Sequence, residues 1–165
     1  MDKIVYISDN LFTAGLTSIE NSHQEEVAQL DFSSAFTSKV AVTTRTGEIL
    51  ARGQFKFFSM KWLVFGPTDK QLGILKGNTF SFKMKFTYTT EGHTYKIFSP
   101  SFSRDFTITD EKETVVATFK LTNHVLSVKN AFEVCNVTEE LKTEEIIIIV
   151  MGINAIWKRR TKGRS

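Results

Sequence analysis

The clearest pattern of hydrophobic and polar positions is a strict alternation in residues 78–99. A period of two predicts a β-strand, because a helix would distribute the same residues around its axis. Glu91 and Gly92 then predict a turn, after which Tyr95 and Ile97 resume the alternation. The segment therefore predicts a β-hairpin with an aromatic inner face. The residues expected on that face of the first strand are Phe80, Phe82, Met84, Phe86 and Tyr88, and those on the other face are Ser81, Lys83, Lys85 and Thr87.

Similar strand-and-turn units precede this hairpin. Residues 38–57 predict two strands joined by a turn at Thr46 and Gly47, and residues 62–77 predict a second such pair around Gly66. The apolar strand positions of these two units are Val40, Val42, Ile49, Ala51 and Leu72.

Further strands are predicted after the hairpin. Phe106 and Ile108 lead to a turn at residues 110–113, and Asn123–His124 and Lys129–Asn130 mark two more interruptions. Short strands at this spacing are typical of an all-β sandwich or barrel. The strand after residue 113 is expected to place Val115, Ala117, Phe119 and Leu121 on one face, and the later strands contain Leu126, Val128, Phe132 and Val134.

Residues 13–37 leave two alternatives open. Ser22 and Glu25 have the spacing of a helix capping box, which favours a short helix that reaches Leu30. The same polar residues are equally compatible with a loop.

The longest apolar run extends from Ile146 to Trp157. As a helix it would span ~18 Å, at ~1.5 Å per residue, whereas a membrane span needs ~20 residues to cross ~30 Å of hydrocarbon. The amide of Asn154 would also be costly in lipid. No transmembrane segment is therefore expected here.

The flanks of this run favour a helix over residues 144–160. Thr143 is predicted as its N-cap, acidic residues suit the positive end of the helix dipole, and basic residues suit the negative end. The helix would be apolar on nearly every face, so protein must enclose it. Gly152 and Ala155 would allow close approach of neighbouring strands, and Ile147, Val150 and Ile153 are expected to be inaccessible to solvent. The predicted fold is mainly β: a closed antiparallel barrel that encloses a hydrophobic C-terminal α-helix.

Length and charge refine this prediction. The 165 residues suit one domain, 1–165, of which residues 1–35 carry the least pattern. Residues 158–165 hold five cations and no acid, so residues 1–157 carry −2 of a formal net charge of +3. Nucleic acid is therefore disfavoured as a partner.

Cys135 is the single cysteine, so an intrachain disulfide is impossible. The residue is expected to be buried or half-buried, and the protein is expected to be cytoplasmic.

Several segments resemble the tubby C-terminal-like superfamily, in particular small bacterial members related to the plant LURP-one proteins. These segments are TGEILARG (46–53), WLVFGPTDKQLGILKG (62–77), SFSRDFTITDEKETVVATFK (101–120) and EEIIIIVMGINAIWKRR (144–160). The resemblance implies about twelve antiparallel strands around the central helix. It also implies an association with membranes, because tubby proteins bind phosphoinositide head groups and the related scramblases act on phospholipid. The head-group lysine and arginine of that family have no residue-by-residue match in this chain.

Enzyme motifs do not occur in the sequence. It contains no glycine-rich phosphate loop, no H-E-x-x-H and no G-x-S-x-G. His23, His93 and His124 lack metal-ligand spacing and are expected on the surface or in turns. We therefore expect no catalytic residues, no metal and no cofactor.

The candidate residues for phosphate or lipid head groups are all basic: Lys158, Arg159, Arg160, Lys162, Arg164, Lys83 and Lys85. In the alternative interpretation, the first five compensate the helix dipole and continue into a solvated basic tail (161–165), and the two strand lysines form the polar outer face of a sheet. The first hypothesis for function is a non-enzymatic binding or scaffold domain, peripheral at the membrane, with anionic lipid or a protein as partner. The second is a carrier that holds a small hydrophobic ligand in a Phe-lined barrel.

Overall fold

The computed structural model describes residues 1–8, 15–32, 39–78, 85–100, 104–123 and 130–162. Within these ranges the chain forms twelve β-strands and one α-helix. The strands are β1 Ile4–Ser8, β2 Gly15–Glu20, β3 Glu26–Phe32, β4 Lys39–Thr43, β5 Ile49–Phe55, β6 Trp62–Phe65, β7 Gln71–Gly77, β8 Lys85–Thr90, β9 Thr94–Phe98, β10 Phe106–Thr109, β11 Val115–Asn123 and β12 Asn130–Asn136, and the helix α1 is Thr143–Lys162.

The strands form a closed antiparallel barrel in which each strand pairs with its neighbours in sequence. The barrel closes between β1 and β12, where Ile4 lies opposite Cys135 and Ser8 lies opposite Ala131. The predicted fold class, a mainly β barrel of about twelve strands, is confirmed.

Helix α1 occupies the interior of this barrel. Every residue from Glu145 to Ile153 is buried, and the helix packs against β4, β5, β6, β7 and β12. The expected burial of Ile147, Val150 and Ile153 is confirmed, because each is at most 1% exposed. The half-buried amide of Asn154 donates a hydrogen bond to the Val150 carbonyl within the helix, at 3.2 Å.

Two glycines allow the helix to approach β5 and β6 closely. The indole of Trp62 on β6 lies between Gly152 of the helix and Gly53 of β5, and a Cβ atom at either glycine would overlap it. The prediction that Gly152 permits close packing is confirmed. The indole Nε1 is buried and has no hydrogen-bond partner among the described residues, so the close packing of the indole outweighs the cost of one unsatisfied donor.

The predicted aromatic hairpin consists of β8 and β9, joined by a turn at Glu91 and Gly92. Turns also lie at Thr46–Gly47, after Gly66 and at residues 110–113, as predicted. The inward residues of the hairpin are Phe86, Tyr88, Tyr95 and Ile97, all at most 3% exposed. Phe80, Phe82, Met84, Leu126, Val128 and His124 lie outside the described residues.

For residues 13–37, the short helix from Ser22 to Leu30 is wrong, and the alternative of a loop is wrong for residues 15–20 and 26–32, which form β2 and β3. The chain turns sharply at Asn21–Glu25, between strands β2 and β3. The Asn21 side-chain oxygen accepts hydrogen bonds from the backbone N–H groups of His23, at 2.9 Å, and Glu25, at 3.0 Å. These bonds stabilise the turn, and the pairing of β3 with β2 and β4 overrides the local capping pattern.

The predicted inner face of β11 needs one correction. Ala117 and Phe119 are buried, but Val115 is 39% exposed, Leu121 is 40% exposed, and Val116 is buried instead. The register shifts by one residue between Ile108 and Thr109, so the strand contains a bulge. The bulge reverses the alternation of faces at Val115 and Val116, next to the turn, whereas Leu121 lies opposite the buried Phe132 on the predicted face and is exposed near the other end of the strand.

The start of α1 also differs from the prediction. The first helical hydrogen bond runs from the Ile146 N–H to the Lys142 carbonyl, at 3.0 Å, which places Lys142 at the N-cap position. The Thr143 hydroxyl instead donates to the Asp2 carbonyl, at 3.0 Å, and accepts from the Asn136 side chain, at 3.3 Å. Thr143 therefore joins the helix to β12 and to the residues before β1.

The helix also continues beyond residue 160, to Lys162, so part of the predicted tail is helical. Residues 163–165 lie outside the described residues. Because α1 fills the volume that an interior ligand would need, no observation favours the carrier hypothesis, which stays a prediction.

Candidate functional site

The up-and-down topology gives the barrel two ends with different connections. The tight turns 21–25, 44–48, 66–70, 91–93 and 110–114 all lie where α1 begins. At the opposite end, where α1 finishes, the structure describes the β5–β6 hairpin loop, residues 56–61. We call the first the acidic end and the second the basic end, for the charges given below.

Acids outnumber cations at the acidic end. The acids in its turns and in residues 137–145 are Glu25, Glu48, Asp69, Glu91, Asp110, Glu111, Glu113, Glu139, Glu140, Glu144 and Glu145, and the cations are Arg45, Lys70, Lys112 and Lys142.

The opposite excess holds at the basic end. Its cations among the described residues are Lys39, Lys56, Lys61, Lys85, Arg104, Lys158, Arg159, Arg160 and Lys162, and its acids are Asp31 and Asp105. Glu144 and Glu145 lie in the first turn of α1, and Arg159, Arg160 and Lys162 lie in its last turn, so these five residues also complement the helix dipole. The alternative interpretation of the C-terminal cations, dipole compensation, therefore applies together with any role in binding.

Two of the predicted head-group residues are held against the barrel rather than extended into solvent. The Arg159 guanidinium lies 4.3 Å from the centre of the Phe55 ring and donates to the Ser59 carbonyl at 3.3 Å. Arg160 donates to the Gly77 carbonyl at 3.1 Å. These contacts attach the last turns of α1 to β5, to the 56–61 loop and to β7.

The other predicted residues are divided between this end and the parts of the chain that are not described. Lys158 and Lys162 are exposed on the last turns of α1. Lys85 begins β8, and its carbonyl accepts from the Asn78 N–H at 2.9 Å, next to the glycine that Arg160 contacts. The structure thus brings Lys85 to the same end as the helix cations. Lys83 and Arg164 lie outside the described residues.

The structure adds two residues that the sequence prediction missed. Phe57 and Phe58 are 84% and 92% exposed at the tip of the 56–61 loop, with their ring centres 4.2 Å apart. The loop carries Lys56 and Lys61 on either side of this pair, and Arg159 contacts it. A sequence sign was available: two adjacent phenylalanines cannot both face inwards on a strand. Trp157, 49% exposed, adds a third large apolar side chain at this end.

The acidic end contains a buried polar pair, Tyr88 and Glu145. The Tyr88 hydroxyl donates to Glu145 Oε1 at 2.6 Å, and both side chains are buried. Burial raises the pKa of the Glu145 carboxyl, and the hydrogen bond from Tyr88 opposes part of this rise. Burial, with the Glu145 charge second, raises the pKa of Tyr88 well above its usual range. Nearby, the Tyr95 hydroxyl lies 3.5 Å from Glu140 Oε2.

A surface cleft with a volume of about 620 Å³ reaches Glu145. The cleft is lined by acidic and basic side chains and by residues of the β6–β7 and β8–β9 turns. The lining includes Lys70, Lys76, His93, Tyr95, Glu140 and Glu145. The hydrogen bonds of Glu145 and Tyr88 are used within the protein, which indicates a structural role for the pair.

The described histidines lie in turns of the acidic end, as expected: His23 at 21–25 and His93 at 91–93. Within the ranges that the structure describes, no group of three or more His, Cys, Asp or Glu side chains is placed to hold a metal ion. In the same ranges, no helix has the length and apolar character that crossing a membrane requires.

Comparison with known proteins gives one informative similarity. No protein-family model matches the chain, and no curated protein matches it. The fold is similar to the crystal structure of a LURP-one-related protein from Arabidopsis thaliana, with a TM-score of 0.56 over 92% of this chain and 91% of the plant chain. The two sequences are 11% identical, so this similarity establishes a related fold.

Proposed function

We propose that this protein is a non-enzymatic binding domain that attaches peripherally, from the cytoplasm, to anionic phospholipid surfaces through its basic end. The observation that supports this proposal most is the separation of charge along the barrel axis. An anionic bilayer attracts the basic end and repels the acidic end, so the field of the whole molecule orients it on approach. The net charge of +3 alone would not provide this orientation.

We also propose that the chain is a small bacterial member of the tubby C-terminal-like superfamily. The sequence segments that resemble this superfamily and the fold similarity to a LURP-one-related protein support the assignment. The head-group ligands that we propose are the cations of the basic end, chosen by their position in this structure.

Co-sedimentation with vesicles tests the membrane proposal. The wild-type protein should pellet with phosphatidylcholine vesicles that contain phosphatidylserine and stay in the supernatant with phosphatidylcholine alone. Changing Lys158 and Lys162 to Gln should weaken binding up to about 30-fold, since each cation near an anionic surface contributes about 1 kcal/mol. Point variants are preferable to deletion of the last turns, because Arg159 and Arg160 also attach the helix to the barrel.

A matched control changes the same charge at the other end. Lys70 and Lys112 are exposed in turns of the acidic end, so their replacement by Gln should leave vesicle binding nearly unchanged. Equal recovery of the wild-type protein with both kinds of vesicle would refute the proposal. Equal weakening by the two double variants would show that net charge acts without orientation.

A further inference from the structure

The most exposed large apolar side chains in the described part of the chain belong to Phe57 and Phe58. Exposed phenylalanines scattered singly are ordinary, but an adjacent pair at a loop tip is a compact apolar projection. The two rings contact each other edge to face. Neither ring is part of the barrel core, so packing in the barrel does not explain them.

The backbone of the loop makes this choice of residue more unusual. Phe58 has φ 50°, in the left-handed region. It lies at the third position of a turn closed by the Ser59 N–H and the Lys56 carbonyl, at 3.0 Å. Glycine and asparagine adopt this conformation readily, whereas a bulky residue is disfavoured there. The other non-glycine residues with a positive φ in the described ranges are all polar, namely Gln24, Asp69, Glu113 and Glu139, so an exposed aromatic side chain at this position points to a function.

The loop is held in a defined position. The Lys56 N–H donates to the Lys61 carbonyl at 2.9 Å, and the Lys61 N–H donates to the Ser59 side chain at 3.1 Å. Arg159 donates to the Ser59 carbonyl from the helix. Below the loop, Phe55 and Trp62 pack edge to face, with ring centres 5.2 Å apart. The Phe57–Phe58 pair is therefore exposed at the tip of a loop that these contacts hold in place.

The charges around the pair identify its partner. Lys56 and Lys61 flank the rings, and Arg159, at the end of α1, donates to the Ser59 carbonyl of the same loop. A partner that binds two aromatic rings and the cations around them needs an apolar layer for the rings and an anionic layer above it for the cations. An anionic bilayer has this profile, because aromatic rings enter the boundary between head groups and acyl chains while lysines extend to the phosphates.

We propose that Phe57 and Phe58 insert into the boundary region of an anionic bilayer and anchor the protein there. The barrel axis then lies roughly perpendicular to the membrane surface, with the basic end against the bilayer and the acidic end in solution. This inference rests on the proposed membrane function and adds its apolar anchor. The cations bring the protein to the surface, and the two rings make the attachment persist when salt screens the charges.

A tryptophan reporter tests the insertion. The starting protein carries Trp157→Phe, which leaves Trp62 as a fully buried, constant background. Adding Phe58→Trp places an indole at the loop tip, and adding Val137→Trp instead places one at a half-exposed site of the acidic end. With phosphatidylserine-containing vesicles, the residue 58 reporter should shift to the blue and be quenched by brominated acyl chains. The residue 137 reporter should show neither change.

The matching loss-of-anchor variant is Phe57→Ser with Phe58→Asn. Asparagine accepts the left-handed backbone, so thermal unfolding should occur at the same or a higher temperature than in the wild type. Vesicle binding at low salt should be largely retained, whereas at physiological salt it should fall by about tenfold or more, since the apolar contribution is lost.

The possible outcomes separate the two proposals. If the wild-type protein binds anionic vesicles but the residue 58 reporter is not quenched and the double variant binds as well as the wild type, insertion is overturned and the electrostatic attachment stands. If the wild type does not bind anionic vesicles, both proposals fail. Self-association that the double variant abolishes, without any quenching by lipid, would assign the rings to a second copy of this chain and overturn insertion.

Discussion

Tyr88 and Glu145 show how a buried carboxylate is accommodated at the start of a core helix. Glu145 lies in the first turn of α1, where the helix dipole favours negative charge, and the Tyr88 hydroxyl satisfies one of its oxygens. Gly73 on β7 leaves room for the Tyr88 ring, because a Cβ atom there would overlap it. The sequence indicated that Tyr88 faces inwards and that Glu145 suits the helix start, but not that the two meet.

All three tyrosines of the chain have a raised pKa in the folded protein. Burial is the largest cause in each case, and a nearby glutamate is the second. The folded state therefore retains the phenolic protons above pH 10.0, the usual pKa, where the unfolded chain loses them. The stabilisation is fully present below this pH and is lost as the pH rises further.

We expect the free energy of unfolding to fall above about pH 10, by up to about 1.4 kcal/mol per pH unit for each tyrosine. Tyr88→Phe should make this fall shallower, and Tyr6→Phe, at a less buried site, should change it less. Urea titrations at a series of pH values measure the slope. Tyrosinate absorbance that rises near pH 10 in the folded protein would contradict the prediction.

The helix α1 is the central element of the barrel and packs against β4, β5, β6, β7 and β12. Its buried run contacts strands on more than one side, so no single apolar stripe is distinguishable. This property made its enclosure predictable from the sequence. Its end points were less predictable, because the N-cap position and the continuation to Lys162 depend on contacts with Asp2, Ser59 and Gly77 that are distant in sequence.

Val150→Asp should prevent folding. Val150 is fully buried, and an unpaired carboxylate there has no partner to offset its desolvation, which costs several kcal/mol. Circular dichroism and the solubility of the expressed protein measure the outcome. A control on the same helix is Thr161→Asp, which is exposed and should cost less than about 1 kcal/mol. If Val150→Asp folds with unchanged stability, the enclosed-helix architecture is incorrect.

At the scale of the whole molecule, closure of the barrel around α1 joins every element into one core. The last strand pairs with the first, and the helix start is bonded to residues at both termini of the barrel. The same topology separates the charges, because successive tight turns fall at one end. Neither feature belongs to any single element.

We therefore expect thermal unfolding to be a single cooperative transition. Loss of helical circular dichroism and the change in Trp62 fluorescence should coincide, because the indole lies between α1 and β5. Phe119, stacked on Phe132 across β11 and β12 at 4.9 Å, provides a second site: the variant Phe119→Trp should report the same midpoint on the other side of the barrel. Midpoints that differ among these probes would show that the helix and the strands unfold separately.

The sequence by itself determined the architecture. Alternation at period two marked the strands, and an apolar run too short for a bilayer, with complementary charges at its ends, determined a helix that strands must enclose. It also located the cations at the end of that helix. These features are local patterns, and each depends on residues a few positions apart.

The tertiary structure alone decided how these parts combine. Strands β2 and β3 formed where the local pattern favoured a helix or a loop, because pairing with neighbouring strands outweighs a weak capping signal. The tertiary structure also places Lys85 and the Phe57–Phe58 pair at the same end of the barrel as the helix cations, and it brings the acids of the tight turns together at the opposite end. The physical reason is that a binding surface is a relation between residues far apart in the chain, which only the closure of the barrel specifies.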